Sequence, residues 1–156
     1  MSTPSGESFD RWYRAIANST RWDPFMQQWL SLPPNVQSSG YLTGSGLAEV
    51  AQRLRLTPGS TLVELGCGRG GYGMAAARVS GARLVGVDFS EAALTAARRQ
   101  TGHLQLDDVV QFWTGDLTAT RLPTDSADAV LCVDAFHFAD PPAAQSSSTG
   151  RIPAGC

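Results

Sequence analysis

The stretch from Thr61 to Gly73, TLVELGCGRGGYG, constrains this chain more than any other part of it. A β-prone apolar run, Thr61 to Leu65, stops abruptly at Gly66, Gly68, Gly70 and Gly71, and a helix-forming run, Met74 to Arg78, follows at once. Strand, glycine loop and helix in succession bring bare backbone N–H groups and a helix N-terminus up to a ligand. Glycine suits such a loop because a Cβ would block close approach and because tight turns of this kind need φ > 0. Two readings are open at this point. Gly66-x-Gly68-x-x-Gly71 fits a dinucleotide fingerprint, and Glu64-x-Gly66-x-Gly68-x-Gly70 fits a nucleoside loop with no pyrophosphate to hold.

The surrounding chain alternates strands with helices. Arg83–Asp88, Val109–Thr114 and Ala129–Val133 read as further strands, and Ser90 reads as the N-cap of a helix that runs to Arg99 and ends near Gly102. That alternation predicts an α/β fold, a Rossmann-like parallel sheet with helices on both faces. Before it lie residues 1–8, expected to be disordered, and two short amphipathic helices, Phe9–Ala17 and Phe25–Leu30, the second opened by Asp23 as cap and Pro24 as first residue. A Pro-, Ser- and Gly-rich loop, Ser31 to Gly46, leads to another helix with Leu47, Val50, Ala51 and Leu54 on one face. The aromatic N-terminal helices pack on the main domain or a second subunit, or form a lid over an apolar substrate. The expected organisation is 1–45 as helical extension or lid, 46–144 as binding domain, and 145–156 as a disordered tail.

Composition narrows the partners. A net charge of -2 with no basic run argues against nucleic acid or an anionic membrane. The basic residues are all Arg, which removes Schiff-base chemistry and a P-loop lysine. Three cysteines without C-x-x-C spacing, with only His103 and His137 to join them, predict no metal site and suit a reducing, cytoplasmic compartment. Residues 1–8 lack the apolar core of a signal peptide, and no apolar run is long enough to span a bilayer.

Four acidic residues, Glu64, Asp88, Asp116 and Asp134, fall at or just beyond the strand ends, which in an open parallel sheet share one ligand-binding edge. Asp88 lies 22 positions after Gly66, the spacing at which a carboxylate meets ribose hydroxyls. Asp116 is placed to accept from an adenine amino group, the Leu117 N–H to reach a ring nitrogen, and Phe89 to lie against the base.

On these residues the chain resembles the class I S-adenosylmethionine-dependent methyltransferases, bacterial small-molecule members in particular. The matching motifs are Val63-Glu-Leu-Gly-Cys-Gly-Arg-Gly70, Val85-Gly-Val-Asp-Phe-Ser90, Gly115-Asp-Leu117, Leu122-Pro123 and Ala127-Asp-Ala-Val-Leu-Cys-Val-Asp134, in family order over residues 40–140. The resemblance implies S-adenosyl-L-methionine as cofactor, its methionine end on Glu64, Gly66, Cys67, Gly68 and Gly70, its ribose on Asp88 and its adenine on Asp116. It also implies a small-molecule methyl acceptor near Asp134 and His137, where the family places acceptor-facing residues. His137 is also read as a histidine simply hydrogen-bonded beside Phe136 and Phe138. A nicotinamide dinucleotide fits less well: such domains often begin near their first strand, and Gly115-Asp-Leu117 would then have no role.

The family pattern departs after Ala144. In place of a helix, a Pro-Gly turn, a fifth strand and a hairpin comes Gln145-Ser-Ser-Ser-Thr-Gly-Arg-Ile-Pro-Ala-Gly-Cys156, of loop composition throughout. The expectation is therefore a domain lacking its C-terminal strands, truncated by frameshift or early termination of a longer gene. Its fourth strand would be an open edge available for homo-oligomeric pairing. The alternative function is a non-catalytic remnant that at most binds the cofactor or a partner.

Overall fold

The structure, a computed structural model, describes residues 6–138 apart from the side chain of His137. Among the described residues, four strands form one parallel sheet: β1 Thr61–Leu65, β2 Arg83–Asp88, β3 Val110–Thr114 and β4 Ala129–Leu131. Their spatial order is β3-β2-β1-β4. The chain builds outward from β1 to β3 and then returns to the other side of β1, so the order reverses beside β1. Such a reversal opens a crevice at the carboxyl ends of the strands, the binding position of open α/β sheets. Val63 pairs with Val85 on one side and Val130 on the other, which centres β1 in the described sheet.

β1 is central and correspondingly apolar. Leu62 of β1 and Leu84 of β2 are both fully buried, each worth about 1.5–3 kcal/mol of burial free energy. Helix α4, Gly71–Ser80, follows the glycine loop and packs on β1 and β2. Helix α3, Gly44–Arg53, packs against α4, and α5, Glu91–Leu104, lies along β2 and β3. Helix α1, Gly6–Ala17, rests on α5, while Met26 of α2, Trp22–Trp29, joins the main core. This is the expected Rossmann-like architecture with a helical N-terminal extension.

Several boundaries differ from the sequence reading, each for a local reason. Residues 6–8 belong to α1 rather than to a disordered start. Helix α2 begins at Trp22, one residue before the expected cap: Ser19 Oγ accepts from the N–H groups of Arg21 and Trp22, which frees Asp23 for another partner. Helix α3 starts inside the Ser-Gly loop because Thr43 Oγ1 accepts from the Gly46 N–H as its cap. Helix α5 runs through Gly102 to Leu104, since Leu104 and Leu106 pack on the core and Gln105 supplies the left-handed terminus at φ 57°. Ser90 caps α5 as expected, accepting from the Ala93 N–H. The expected tail, 145–156, and the departure after Ala144 lie outside the described residues.

Candidate functional site

The glycine loop turns back on β2 at once. The Cys67 N–H donates to the Val87 carbonyl at 3.0 Å and the Gly70 N–H to the Cys67 carbonyl at 2.8 Å. Gly66 and Gly68 take φ of 62° and 52°, left-handed values that disfavour any side chain. The crowding here comes from the protein itself: a Cβ on Gly66 would collide with the Ala135 side chain, and one on Gly68 would lie 2.5 Å from the Tyr13 hydroxyl. The loop glycines thus admit the segment after β4 and helix α1 to the same cavity.

That cavity, of about 430 Å³, opens at the carboxyl ends of β1, β2 and β4, within the range of about 300–1,000 Å³ typical of small-molecule sites. Glu64 and Asp88 stand at its floor. Glu64 is 2% exposed, its Oε2 accepts from the Gly73 N–H at 3.2 Å, and burial pushes its pKa up to about 8. Asp88 is also buried; its Oδ2 accepts from the Gly68 N–H and its Oδ1 from the Ser90 N–H, both at 2.8 Å. Desolvation raises the Asp88 pKa, and the backbone donors oppose the rise. Burial likewise pushes the Cys67 thiol up, which leaves it a small packed residue rather than a nucleophile.

The opposite wall comes from the N-terminal region and from the segment after β4. Phe9 of α1 meets Phe89 at 5.2 Å and Phe138 at 5.1 Å, both edge to face, so one ring joins α1, the end of β2 and the 3-10 turn Phe136–Phe138. The Tyr13 hydroxyl, buried and raised in pKa chiefly by that burial, points at the glycine loop. Residues 37–41 line the other side, and the Ser38 and Tyr72 hydroxyls pair at 2.5 Å. Asp134 sits at φ 53°, a left-handed conformation that costs a non-glycine residue energy, and its Oδ2 accepts from the Tyr41 N–H at 2.6 Å.

Eight of the expected residues line this cavity: Glu64, Gly66, Cys67, Gly68, Asp88, Phe89, Leu117 and Asp134. Gly70 does not; it is the left-handed N-cap of α4, packed against the Phe112 ring. Asp116 is exposed in a turn after β3, where its Oδ1 accepts from the N–H and hydroxyl of Thr118. It stands outside the lining, and its neighbour Leu117 faces in. The backbone of His137 lies in the 3-10 turn, and its side chain is outside the description. The sequence reading passed over Tyr13, Ser38 and Tyr72, whose roles depend on contacts between distant segments. Tyr72 alone had a local signal, its place inside the glycine motif.

The lining has one electrostatic character. Two aspartates, Asp88 and Asp134, and the buried carboxyl group of Glu64 face the cavity, and among the described residues no Arg side chain lines it. Arg69, in the middle of the glycine loop, is turned away and buried. Such a lining suits a ligand that carries positive charge and a polar diol.

Residues 62–148 match the family described as "Methyltransferase domain". The chain belongs to that family, the class I S-adenosylmethionine-dependent methyltransferases. Among curated relatives, it is 29% identical to sterol 24-C-methyltransferase of Eremothecium gossypii over 86 residues, 55% of this chain and 23% of that protein. It is 29% identical to phosphoethanolamine N-methyltransferase 1 of Arabidopsis thaliana over 112 residues, 69% of this chain and 22% of that protein. The chain thus spans under a quarter of the length of these relatives, 23% and 22%. Among solved structures, it resembles geranyl diphosphate C-methyltransferase from Streptomyces coelicolor A3(2), in complex with Mg2+, geranyl-S-thiolodiphosphate and S-adenosyl-L-homocysteine. The TM-score is 0.72 at 21% identity, over 97% of this chain and 63% of that one. A geranyl diphosphate methyltransferase bound to GPP and sinefungin gives a TM-score of 0.76 at 18% identity, over 96% and 62%. These likenesses establish the fold. No described helix is long and apolar enough to cross a membrane.

Proposed function

We propose that this domain binds S-adenosyl-L-methionine in the cavity between the glycine loop and the N-terminal helices, and that the protein transfers its methyl group to a small-molecule acceptor. The observation that carries the reading is the pairing of buried Glu64 and Asp88 in a lining without an Arg side chain. A dinucleotide would bring a pyrophosphate to acidic side chains with no Arg to offset it, whereas a sulfonium with an α-amino group brings positive charge, which also favours release of the proton that burial holds on Glu64. Asp88 fits both readings of the glycine pattern; Glu64 and the absence of an Arg side chain from the lining support the second.

Each Asp88 oxygen accepts one backbone hydrogen bond and keeps capacity for another, which suits the two hydroxyls of a ribose. Glu64, Cys67 and Gly68 face the methionine end, and Phe89 and Leu117 the adenine, with Asp116 beyond them on the exposed turn. When bound, the cofactor supplies a methyl group already activated on a sulfonium. The chain's own task is to align the acceptor and exclude water, which the aromatic wall of Phe9, Trp12 and Phe138 serves. Asp134, fixed by the Tyr41 N–H, orients the acceptor, and His137 is the second acceptor-side residue by its position after β4. A general base is needed only where the acceptor carries a proton to lose. In this reading residues 1–45 act as the cover and 46–144 as the binding domain. The three cysteines without a pairing pattern support a cytoplasmic setting. A homo-oligomer would use the outer edge of β4, the last strand of the described sheet.

Calorimetry with S-adenosylhomocysteine tests the assignment. Wild-type protein binds, and Asp88→Ala weakens binding at least about tenfold, as the loss of charge-assisted hydrogen bonds requires. Undiminished affinity in a folded Asp88→Ala variant would refute the ribose assignment.

A further inference from the structure

We propose that Arg69 is a positioning residue that locks the N-terminal cover to the cofactor loop, so that ordering of the cover and occupancy of the site are coupled. The proposal rests on the cofactor reading above and adds a residue to it.

Arg69 sits between two left-handed glycines, Gly68 at φ 52° and Gly70 at φ 70°, and this backbone sends its side chain away from the cavity. The side chain is 2% exposed. Its guanidinium grips Asp23 of α2 with two bonds, Nη1 to Oδ2 at 3.2 Å and Nη2 to Oδ1 at 2.7 Å. Nη2 also donates to the Ser38 carbonyl at 2.7 Å, and the same carbonyl accepts from Trp22 Nε1 at 3.4 Å. One planar cation therefore holds three separate pieces of chain: the glycine loop, helix α2 and the cavity wall at residues 37–41.

The wall needs such a hold. It lies directly on the first turn of α4, where a Cβ on Gly71 would collide with the Gln37 carbonyl. It is irregular in backbone, so no sheet ladder fastens it. Arg is suited to the task because a rigid fork can bind a carboxylate and a carbonyl together, whereas Lys offers a single flexible charge. A buried ion pair is also a poor source of net stability, since desolvation offsets most of the attraction, while its geometry is strict. That balance fits a positioning role better than a stabilising one. By linkage, a ligand that orders the glycine loop orders the cover through Arg69, and loss of the grip weakens the ligand by the same factor.

Hydrogen exchange with and without saturating S-adenosylhomocysteine, combined with calorimetry, tests this in wild-type protein, Asp23→Asn, Arg69→Lys and Arg69→Met. Asp23 is 27% exposed, so Asp23→Asn keeps the test open if Arg69→Met fails to fold. In wild-type protein the ligand slows exchange both in the glycine loop and at residues 22–29 and 36–42. In Asp23→Asn and Arg69→Met, protection of the loop persists, protection of 22–29 and 36–42 is lost, and Kd rises about tenfold; Arg69→Lys restores part of each. Unchanged protection of the cover in folded Asp23→Asn, with wild-type Kd, would overturn the proposal. If wild-type protein does not bind the ligand, the cofactor reading fails. Arg69 is then judged on ligand-free exchange alone: faster exchange at 36–42 in Asp23→Asn supports the grip, and equal exchange overturns it.

Discussion

The cavity has two halves built in different ways. Its floor, the glycine loop with Glu64 and Asp88, uses residues close in sequence and fastens them with backbone N–H groups, such as Gly68 to Asp88 and Gly73 to Glu64. Its cover, helices α1 and α2 with the loop that follows, is held by side chains that reach across the chain. Tyr41 to Asp134 spans 93 positions, Asp10 to Ser90 spans 80 and Arg69 to Asp23 spans 46. A floor of backbone bonds inside a buried sheet opens only with global unfolding, whereas the cover, packed on the core through Met26, Leu30 and Val36 and tied by these side-chain links, has no such ladder and opens more readily. A site of this construction can release its ligand without losing its shape.

The largest expected effect breaks the floor through its own charge. Glu64 keeps its proton in the folded domain up to about pH 8, against 4.5 for an ordinary carboxyl. Between those values the folded state binds more protons than the unfolded state, so stability falls as pH rises through the window and is highest below it. The total across the whole window approaches about 5 kcal/mol, taking about 1.4 kcal/mol per pKa unit. Urea unfolding of ligand-free protein from pH 5 to pH 8 should show this decline, and Glu64→Gln should flatten it. A wild-type profile as flat as that of Glu64→Gln would remove the buried proton from the account.

Next comes Gly66→Ala, which strains a left-handed turn and drives a methyl group into Ala135. Its expected cost is about 3 kcal/mol of stability, together with loss of ligand binding. Damage to the cover should be milder. Asp10 accepts from the Ser90 hydroxyl at 2.5 Å and from the Ala92 N–H at 3.4 Å, so it caps α5 from outside. Asp10→Ala should cost about 1 kcal/mol and should speed exchange in α1 before it touches β1. Equal destabilisation by the two variants would erase the distinction between floor and cover. The smallest effect belongs outside both halves: Arg53→Ala removes an exposed pair with Glu49 and should change stability by about 0.5 kcal/mol or less.

The two halves were also unequally legible in the sequence. β1, β2 and the N-cap of α5 follow from short-range signals: an apolar run, a glycine stop, a serine before a helix. The strand-end carboxylates Glu64 and Asp88 were found the same way, because a parallel sheet carries its strand ends to one edge. For the cover, the helices were legible and a lid was one of the readings they allowed, but the contacts that hold them in place were not. Nothing local to Asp23 distinguishes a helix cap from a partner for Arg69; the N-cap position falls on Arg21, and Ser19 Oγ accepts from the N–H groups of Arg21 and Trp22. The loop at Ser38 looked like a connector, and only the fold reveals it as a cavity wall pinned to Tyr72. Asp116 shows the converse: its place after β3 was legible, but not the turn closed by Thr118 that leaves it exposed beyond the lining.

The central claim is that a cavity edged by Glu64, Asp88 and Asp134 selects a cationic nucleoside over an anionic dinucleotide. Titration calorimetry of one folded sample with S-adenosylmethionine, S-adenosylhomocysteine and NAD tests it most directly. Saturable binding of the first two is expected, weakened at least about tenfold in Asp88→Ala, with no binding of NAD. Binding of NAD, or of none of the three by protein whose sheet is intact, would contradict it.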